Sequence, residues 1–354
     1  MRVIQVLKVL AFGDAIGNHV IALQKAFQSQ EIRTKIYAEV IDARLPEGTA
    51  ENYQLYEEKE GDIILYHLST GTELNRKITE HSCRIIINYH NITPPQYFAG
   101  YNRQGELNCR TGLEDAAYLA DKVSCCIADS QYNKEDLIRM GYRCDIAAIP
   151  ILIAFDDYKK EPDTETENRY RDGWTNIIFV GRIVPNKAQH DIINAFGYYK
   201  KYYNPESRLI LAGTCGGMER YQSQLETYAD RLGVQDVIYP GHISFQEILA
   251  YYRCADLFLC QSEHEGFGVP LVEAMTFGVP IIAYDSSAVG ETLGGAGLLM
   301  ETKNPLETAA VMNRVMTDRR LRERMVENGY ERLKDFDNQE IARRFIQYIR
   351  SADR

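Results

Sequence analysis

Short apolar runs alternate with longer amphipathic stretches from one end of the chain to the other. In the first half the runs fall at residues 3–10, 34–38, 63–67, 84–89, 123–128 and 146–149, and each is compatible with a buried strand. Between them the spacing predicts helices, for example over 18–28 and over 133–140, the latter with Ser130 as N-cap. Residues 156–173 (DDYKKEPDTETENRYRDG) are charged and show no period, so they are expected as a hinge. A second series follows at 176–180, 208–212, 236–239, 256–260, 279–283 and 297–300. Such alternation is the pattern of α/β units with parallel sheets. Two doubly wound halves are therefore expected, over 1–155 and 156–338, with a last helix over 339–354 returning to the first half.

A chain of 354 residues suits two domains rather than one core. With 45% hydrophobic and 25% charged residues it is globular in composition. The net charge of −10 gives no electrostatic case for nucleic acid, and no basic run marks a membrane anchor. No apolar stretch reaches the roughly 18 residues of a transmembrane helix. The N-terminal MRVIQVLKVL reads as a first strand rather than a secretory signal. The eight cysteines form no C-x-x-C pair, and a cytoplasmic location is expected.

Candidate chemistry gathers at the ends of predicted strands. Residues 262–280, SEHEGFGVPLVEAMTFGVP, read as a strand end, a glycine loop and the start of a helix with Pro270 at its first position. Free N–H groups and a positive dipole end there suit a phosphate. Glu265 in the loop and Glu273 one turn into the helix flank that anion site, an arrangement suited to the hydroxyls of a nucleotide sugar. FVGRIVPNK places Arg182 just past a strand and Lys187 before the next helix, two cations able to hold a diphosphate. LILAGTCGG, with Gly213, is a further strand and glycine loop, and YPGHIS carries Ile243. Gly13 and Gly17 bracket a turn after the first strand where the backbone can approach a ligand. His67 and His90 each end a strand, and the segment 96–111 after His90 is read as a long loop beside a cleft, placed to gate the acceptor.

In order and spacing these motifs resemble the family-4 retaining glycosyltransferases. E-H-E-G-F-G-V-P-L-V-E is similar to their E-x(7)-E motif, and Gly181, Arg182, Pro185 and Lys187 match their G-R-x-x-P-x-K segment. The resemblance implies a GT-B fold, two Rossmann-like domains facing across a cleft. It also implies retaining transfer of a sugar from a GDP- or UDP-linked donor to a hydroxyl acceptor, in polysaccharide or glycolipid synthesis. The donor would touch Gly13, Gly17, Arg182, Lys187, Gly213, the main chain of Ile243, Glu265, Gly266, Phe267, Gly268 and Glu273. His90, Glu265, Arg182 and Lys187 would carry the chemistry, with the nucleotide sugar as co-substrate and neither metal nor other cofactor required. Compact members of this kind imply saccharide or lipid-linked acceptors and a peripheral contact with the inner face of the membrane. Where the family commonly has Gly-x-Pro-Glu this chain has DSSAVGET, with Glu291 the nearest acid. Asp335-Phe336-Asp337 is read as a helix cap rather than a metal motif. A sugar-nucleotide epimerase and a non-catalytic binding protein on the same scaffold are the alternatives.

Overall fold

The computed structural model describes residues 1–241 and 243–352. The chain divides into two compact units, the first built from 1–95, 104–155 and the segment from 336 onward, the second from 96–103 and 156–335.

The first unit holds strands β1 (Arg2–Leu10), β2 (Arg33–Ile41), β3 (Glu51–Asn52), β4 (Asp62–Leu68), β5 (Arg84–Tyr89), β6 (Cys125–Ala128) and β7 (Asp145–Ala148). They form one sheet in the order β3-β2-β1-β4-β5-β6-β7, with parallel pairings throughout. Every residue of β4 is buried, because helices cover both faces of a parallel sheet. Each fully buried Val, Ile or Leu of these strands contributes about 1.5–3 kcal/mol. Helix Ala15–Ser29 turns Val20, Leu23 and Phe27 into this core. Helix Asn338–Ala352 joins the same unit, burying Ile341, Phe345 and Ile349 at helical spacing. Its Asn338 donates to the Ile153 carbonyl at 2.6 Å, and Tyr348 donates to the Asp145 carbonyl at 2.9 Å. Residues 353 and 354 of the expected last helix lie outside the described residues.

The second unit holds β8 (Thr175–Val180), β9 (Ser207–Ala212), β10 (Val237–Ile238), β11 (Leu257–Cys260), β12 (Ile281–Tyr284) and β13 (Leu298–Met300). Their order is β10-β9-β8-β11-β12-β13, again with parallel pairings. The chain builds outward from β8 to one side, then crosses to begin the other side at β11. That reversal opens a crevice between the C-terminal ends of β8 and β11, the place where open α/β sheets bind ligands.

Several local expectations need correction. The stretch 156–173 is not without regular elements: it forms a 3-10 turn, Asp157–Lys159, and a helix, Thr164–Tyr170, capped by Asp163. Both elements are too short to show a period, and only Tyr158, Thr166 and Tyr170 within them are buried. The loop expected over 96–111 is cut short by helix Arg103–Leu119, which buries Cys109, Ala116 and Leu119. Its Gly105 and Gly112 lower helix propensity and hide it; Gly112 is required because a Cβ there would meet the Gly71 nitrogen at 2.7 Å. Residues 96–103 are pinned within the second unit, where Asn102 donates to the Gly217 carbonyl and Arg220 to the Gly100 carbonyl, both at 3.0 Å. The helix holding Glu273 starts at Val269, so Pro270 is its second residue. Asp337 does cap a helix, accepting from the Glu340 N–H at 2.8 Å.

Candidate functional site

In the second unit the chain leaves β8 through Gly181 at φ +152°, whose N–H donates to the Ala212 carbonyl at 2.9 Å. A Cβ on Gly213 would lie 1.9 Å from the Gly181 carbonyl oxygen, so these glycines let two strand ends touch. Arg182 follows, exposed, with its carbonyl accepting from Gln189 at 2.9 Å. Pro185–Lys187 makes a 3-10 turn, and Ala188 is held at φ +48° before helix Gln189–Tyr202. A non-glycine residue in this region costs of order 1–3 kcal/mol, so the surroundings must impose it. The buried Asn186 supplies part of that constraint: it donates to the His264 carbonyl at 3.1 Å, and its own carbonyl accepts from the Glu263 N–H at 2.8 Å.

This stitching brings Lys187 and Glu265 together. The ammonium lies 2.5 Å from the Glu265 carboxylate, with only 19% and 12% of the two side chains exposed. Ser287, itself at φ +46°, accepts from the Glu265 N–H at 2.7 Å, and Ser286 donates to the Ser262 carbonyl at 2.5 Å. The DSSAVGET segment thus props the Glu265 loop from beneath, although Glu291 itself stays exposed. Gly268, at φ +96°, precedes helix Val269–Thr276 with no side-chain cap, leaving that helix start to a ligand or water. Gly266 is half-buried, and Phe267 is buried, its carbonyl accepting from the Thr292 hydroxyl.

Glu273 is differently placed from Glu265. Tyr158 donates to one carboxylate oxygen at 2.9 Å and Tyr252 to the other at 2.7 Å. Burial pushes this carboxyl above the usual range, and the two phenol hydrogen bonds draw it partly back. Ile243 is half-buried beside the Ser244 cap of helix Phe245–Cys254, and its neighbour His242 lies outside the described residues. The structure therefore pairs Lys187 with Glu265, leaves Arg182 exposed on the same loop, and seats Glu273 among phenols. Tyr158 and Tyr252 carried no signal in the sequence, being two tyrosines among 24.

In the first unit Gly13 is at φ +73°, and Gly17 is required because a Cβ there would lie 2.4 Å from the Ala11 carbonyl oxygen. Both have backbone reasons to be glycine whatever they bind. His90 follows β5, but its side chain is only 1% exposed and both ring nitrogens are engaged. Nε2 lies 2.9 Å from His67 Nδ1, and Nδ1 lies 2.7 Å from the carboxylate of Asp129, the residue after β6. His19, from helix Ala15–Ser29, completes a cluster whose ligand atoms lie within 4.8 Å of one another. Burial, and then neighbouring imidazole charge, pushes His19 down to about 3 and His67 well below its ordinary value. Asp129, the residue of ADS that directly follows a strand, is the one that strand-end reasoning could have found.

Two parallel doubly wound sheets in one chain define the GT-B class of fold. HepE of Anabaena, solved with UDP and glucose, shares it, with a TM-score of 0.79 at 20% identity over 99% of this chain and 100% of that one. Residues 162–332 match the family described as glycosyl transferases group 1, a span that includes Arg182, Lys187, Glu265 and Glu273. The chain is 24% identical over 221 residues to O-antigen chain mannosyltransferase B of Escherichia coli, covering 61% of this chain and 58% of that protein. It is 31% identical over 157 residues to D-inositol 3-phosphate glycosyltransferase of Thermobifida fusca, covering 42% and 36%. The chain thus spans between about a fifth and three fifths of the length of the curated relatives it matches. No helix among the described residues is long and apolar enough to cross a membrane.

Proposed function

We propose that the chain is a retaining glycosyltransferase of the family-4 type. It moves a hexose from a UDP- or GDP-linked donor to a hydroxyl acceptor in polysaccharide or glycolipid synthesis. The observation that carries this reading is the Lys187–Glu265 pair, set in the crevice between β8 and β11. A cation, a carboxylate and an uncapped helix start converge there, which suits a sugar attached to a diphosphate. The activities for which the relatives are named support a saccharide or polyol hydroxyl as acceptor.

In this reading Arg182, Lys187 and the N-terminus of helix Val269–Thr276 hold the diphosphate. As the bond from the anomeric carbon to the phosphate oxygen breaks, its electron pair leaves with the nucleoside diphosphate, and these groups stabilise the growing negative charge. One well-placed donor of this kind is worth about 10²–10³ in rate. Glu265 takes the donor-sugar hydroxyls and Glu273 the ribose, with the glycine turn at 213 and the Ile243 main chain completing the second unit's share of the donor site. The acceptor hydroxyl attacks from the face the diphosphate leaves and passes its proton to the departing phosphate oxygen. The sugar nucleotide is the co-substrate, no metal enters the reaction, and contact with a lipid-linked acceptor is peripheral to the inner membrane face.

The test is calorimetric titration with a panel of UDP- and GDP-sugars, then incubation of the bound donor with candidate acceptors. The expected result is a product of unchanged anomeric configuration by NMR. An inverted product contradicts retention, and an isomer formed from donor alone points to an epimerase.

A further inference from the structure

The cluster around His90 contains enough fixed donors and acceptors to count its protons. Gln5 donates through Nε2 to the Val20 carbonyl at 3.0 Å, and a backbone carbonyl can only accept. The Gln5 oxygen therefore faces His67 Nε2, 3.2 Å away, so His67 carries its proton on Nε2. His67 has the amide of Gln5 and the ring of His90 against its nitrogens, and its burial favours the neutral ring, so its Nδ1 is a lone pair and the His90 Nε2 it meets at 2.9 Å, on the ring that faces Asp129, is the donor. The two rings are within 3° of parallel, consistent with a hydrogen bond lying in both ring planes. On the opposite side His90 Nδ1 faces Asp129 at 2.7 Å, a contact that also needs a proton. The other Asp129 oxygen accepts from Asn88 Nδ2 at 3.1 Å. His19 closes the network from the remaining direction: the Leu152 N–H donates to its Nδ1 at 2.9 Å, and its Nε2–H donates to Asn88 Oδ1 at 3.0 Å.

Every ring nitrogen of His19 and His67 then has one assigned role, and both rings are neutral, as their burial favours. His90 is left with a proton on each nitrogen. We infer that His90 is a fixed imidazolium paired with the Asp129 carboxylate, with Gln5 and His67 as positioning residues that impose its second N–H. The pair has the same proton count as neutral imidazole with carboxylic acid, but a carboxyl group is ordinarily the stronger acid, so the proton stays on the ring. Side-chain exposures of 1% and 5% keep water from replacing either contact.

An imidazolium has no lone pair, so His90 does not take the proton of an acceptor hydroxyl. It acts through its charge and its carbon edge. That consequence rests on the transfer reading, whereas the protonation state does not. The same proton accounting answers the metal-like spacing of the three histidines, because all six ring nitrogens already have partners.

The test uses the full chain labelled with [15N]histidine, without substrate, followed by long-range 1H–15N NMR from about pH 6 to about pH 8.5. Of the seven histidines, one buried ring is expected to stay doubly protonated across the range and two to remain neutral Nε2–H tautomers. Asp129→Asn is expected to let the doubly protonated ring lose its proton within the range, which also assigns the signal. A buried cluster made only of neutral rings at pH 7 in the unsubstituted chain overturns the inference, whether or not the variant folds. So does saturable, equimolar Zn²⁺ binding that shifts all three rings. Since no donor is present, failure here leaves the transferase reading standing, and success does not depend on it.

Discussion

Replacing Glu265 by Gln separates binding of the nucleotide from recognition of the sugar. At 2.5 Å and an effective dielectric near 20, the Lys187 and Glu265 charges attract by about 6–7 kcal/mol. Desolvation returns most of that, and both groups keep some exposure to solvent, so the net worth of the pair is ~1–2 kcal/mol. A diphosphate entering the crevice must draw Lys187 away from Glu265 or share it against a nearby carboxylate. The amide of Glu265→Gln keeps the shape and removes the competing charge. The Kd of the free nucleoside diphosphate should therefore fall about 5- to 30-fold, while transfer from the sugar nucleotide falls about 10²–10³ because its sugar contact is lost. Calorimetry with UDP and GDP at low and high salt, beside initial rates, reads both effects. Lys187→Ala provides the opposite control, with weaker nucleotide binding and slower transfer. If Glu265→Gln binds free nucleotide no more tightly than the parent chain, Lys187 is not the diphosphate ligand and the assignment fails.

Three further outcomes follow from the geometry. Gly213→Ala sets a methyl group against the Gly181 carbonyl at 1.9 Å and should cost about 1–3 kcal/mol; an unchanged urea midpoint for the second unit would show that the strand ends separate freely. Tyr252→Phe strips a hydrogen bond from the buried Glu273 carboxyl, costing about 1–3 kcal/mol in stability. It should raise the donor KM with kcat within about threefold, and a fall confined to kcat would contradict the ribose role. Burial holds His19 at about 3 and lowers His67, so between these values and the unfolded value near 6.5 the unfolded chain binds more protons. The share of first-unit stability held by these two rings is then complete above about pH 6.5 and lost on acidification, by up to about 1.4 kcal/mol per pH unit for each ring; a urea midpoint flat from about pH 6.5 to about pH 5 would refute this.

The strands were legible because parallel sheets bury both faces and leave near-continuous apolar runs, as in DIILYHL. The motif residues were legible because they sit where such runs stop. Arg182 and Lys187 follow β8, and Glu265 follows β11. What the linear pattern does not contain is the neighbour relation between β8 and β11, which depends on the crossover in strand order. The Lys187–Glu265 contact lies beyond sequence reasoning for that reason, even though each partner was singled out.

The same limit explains the tyrosines at 158 and 252 and the carboxylate at 129. Each acts as a partner to a group from a distant element, and nothing local distinguishes it from a core aromatic or a cap. Tyr158 was further hidden inside charged sequence whose surface residues dominate its composition. His90 shows the converse: its position after a strand marked it, but its role is set by Gln5, His67 and Asp129, drawn from three other strands or their ends. A polar residue at a strand end announces a place where chemistry can occur. Whether it offers a lone pair, a proton or a fixed charge is decided by the partners folding brings to it. In His90 those partners are a lone pair on one side and a carboxylate on the other, and together they leave the ring no acceptor to offer.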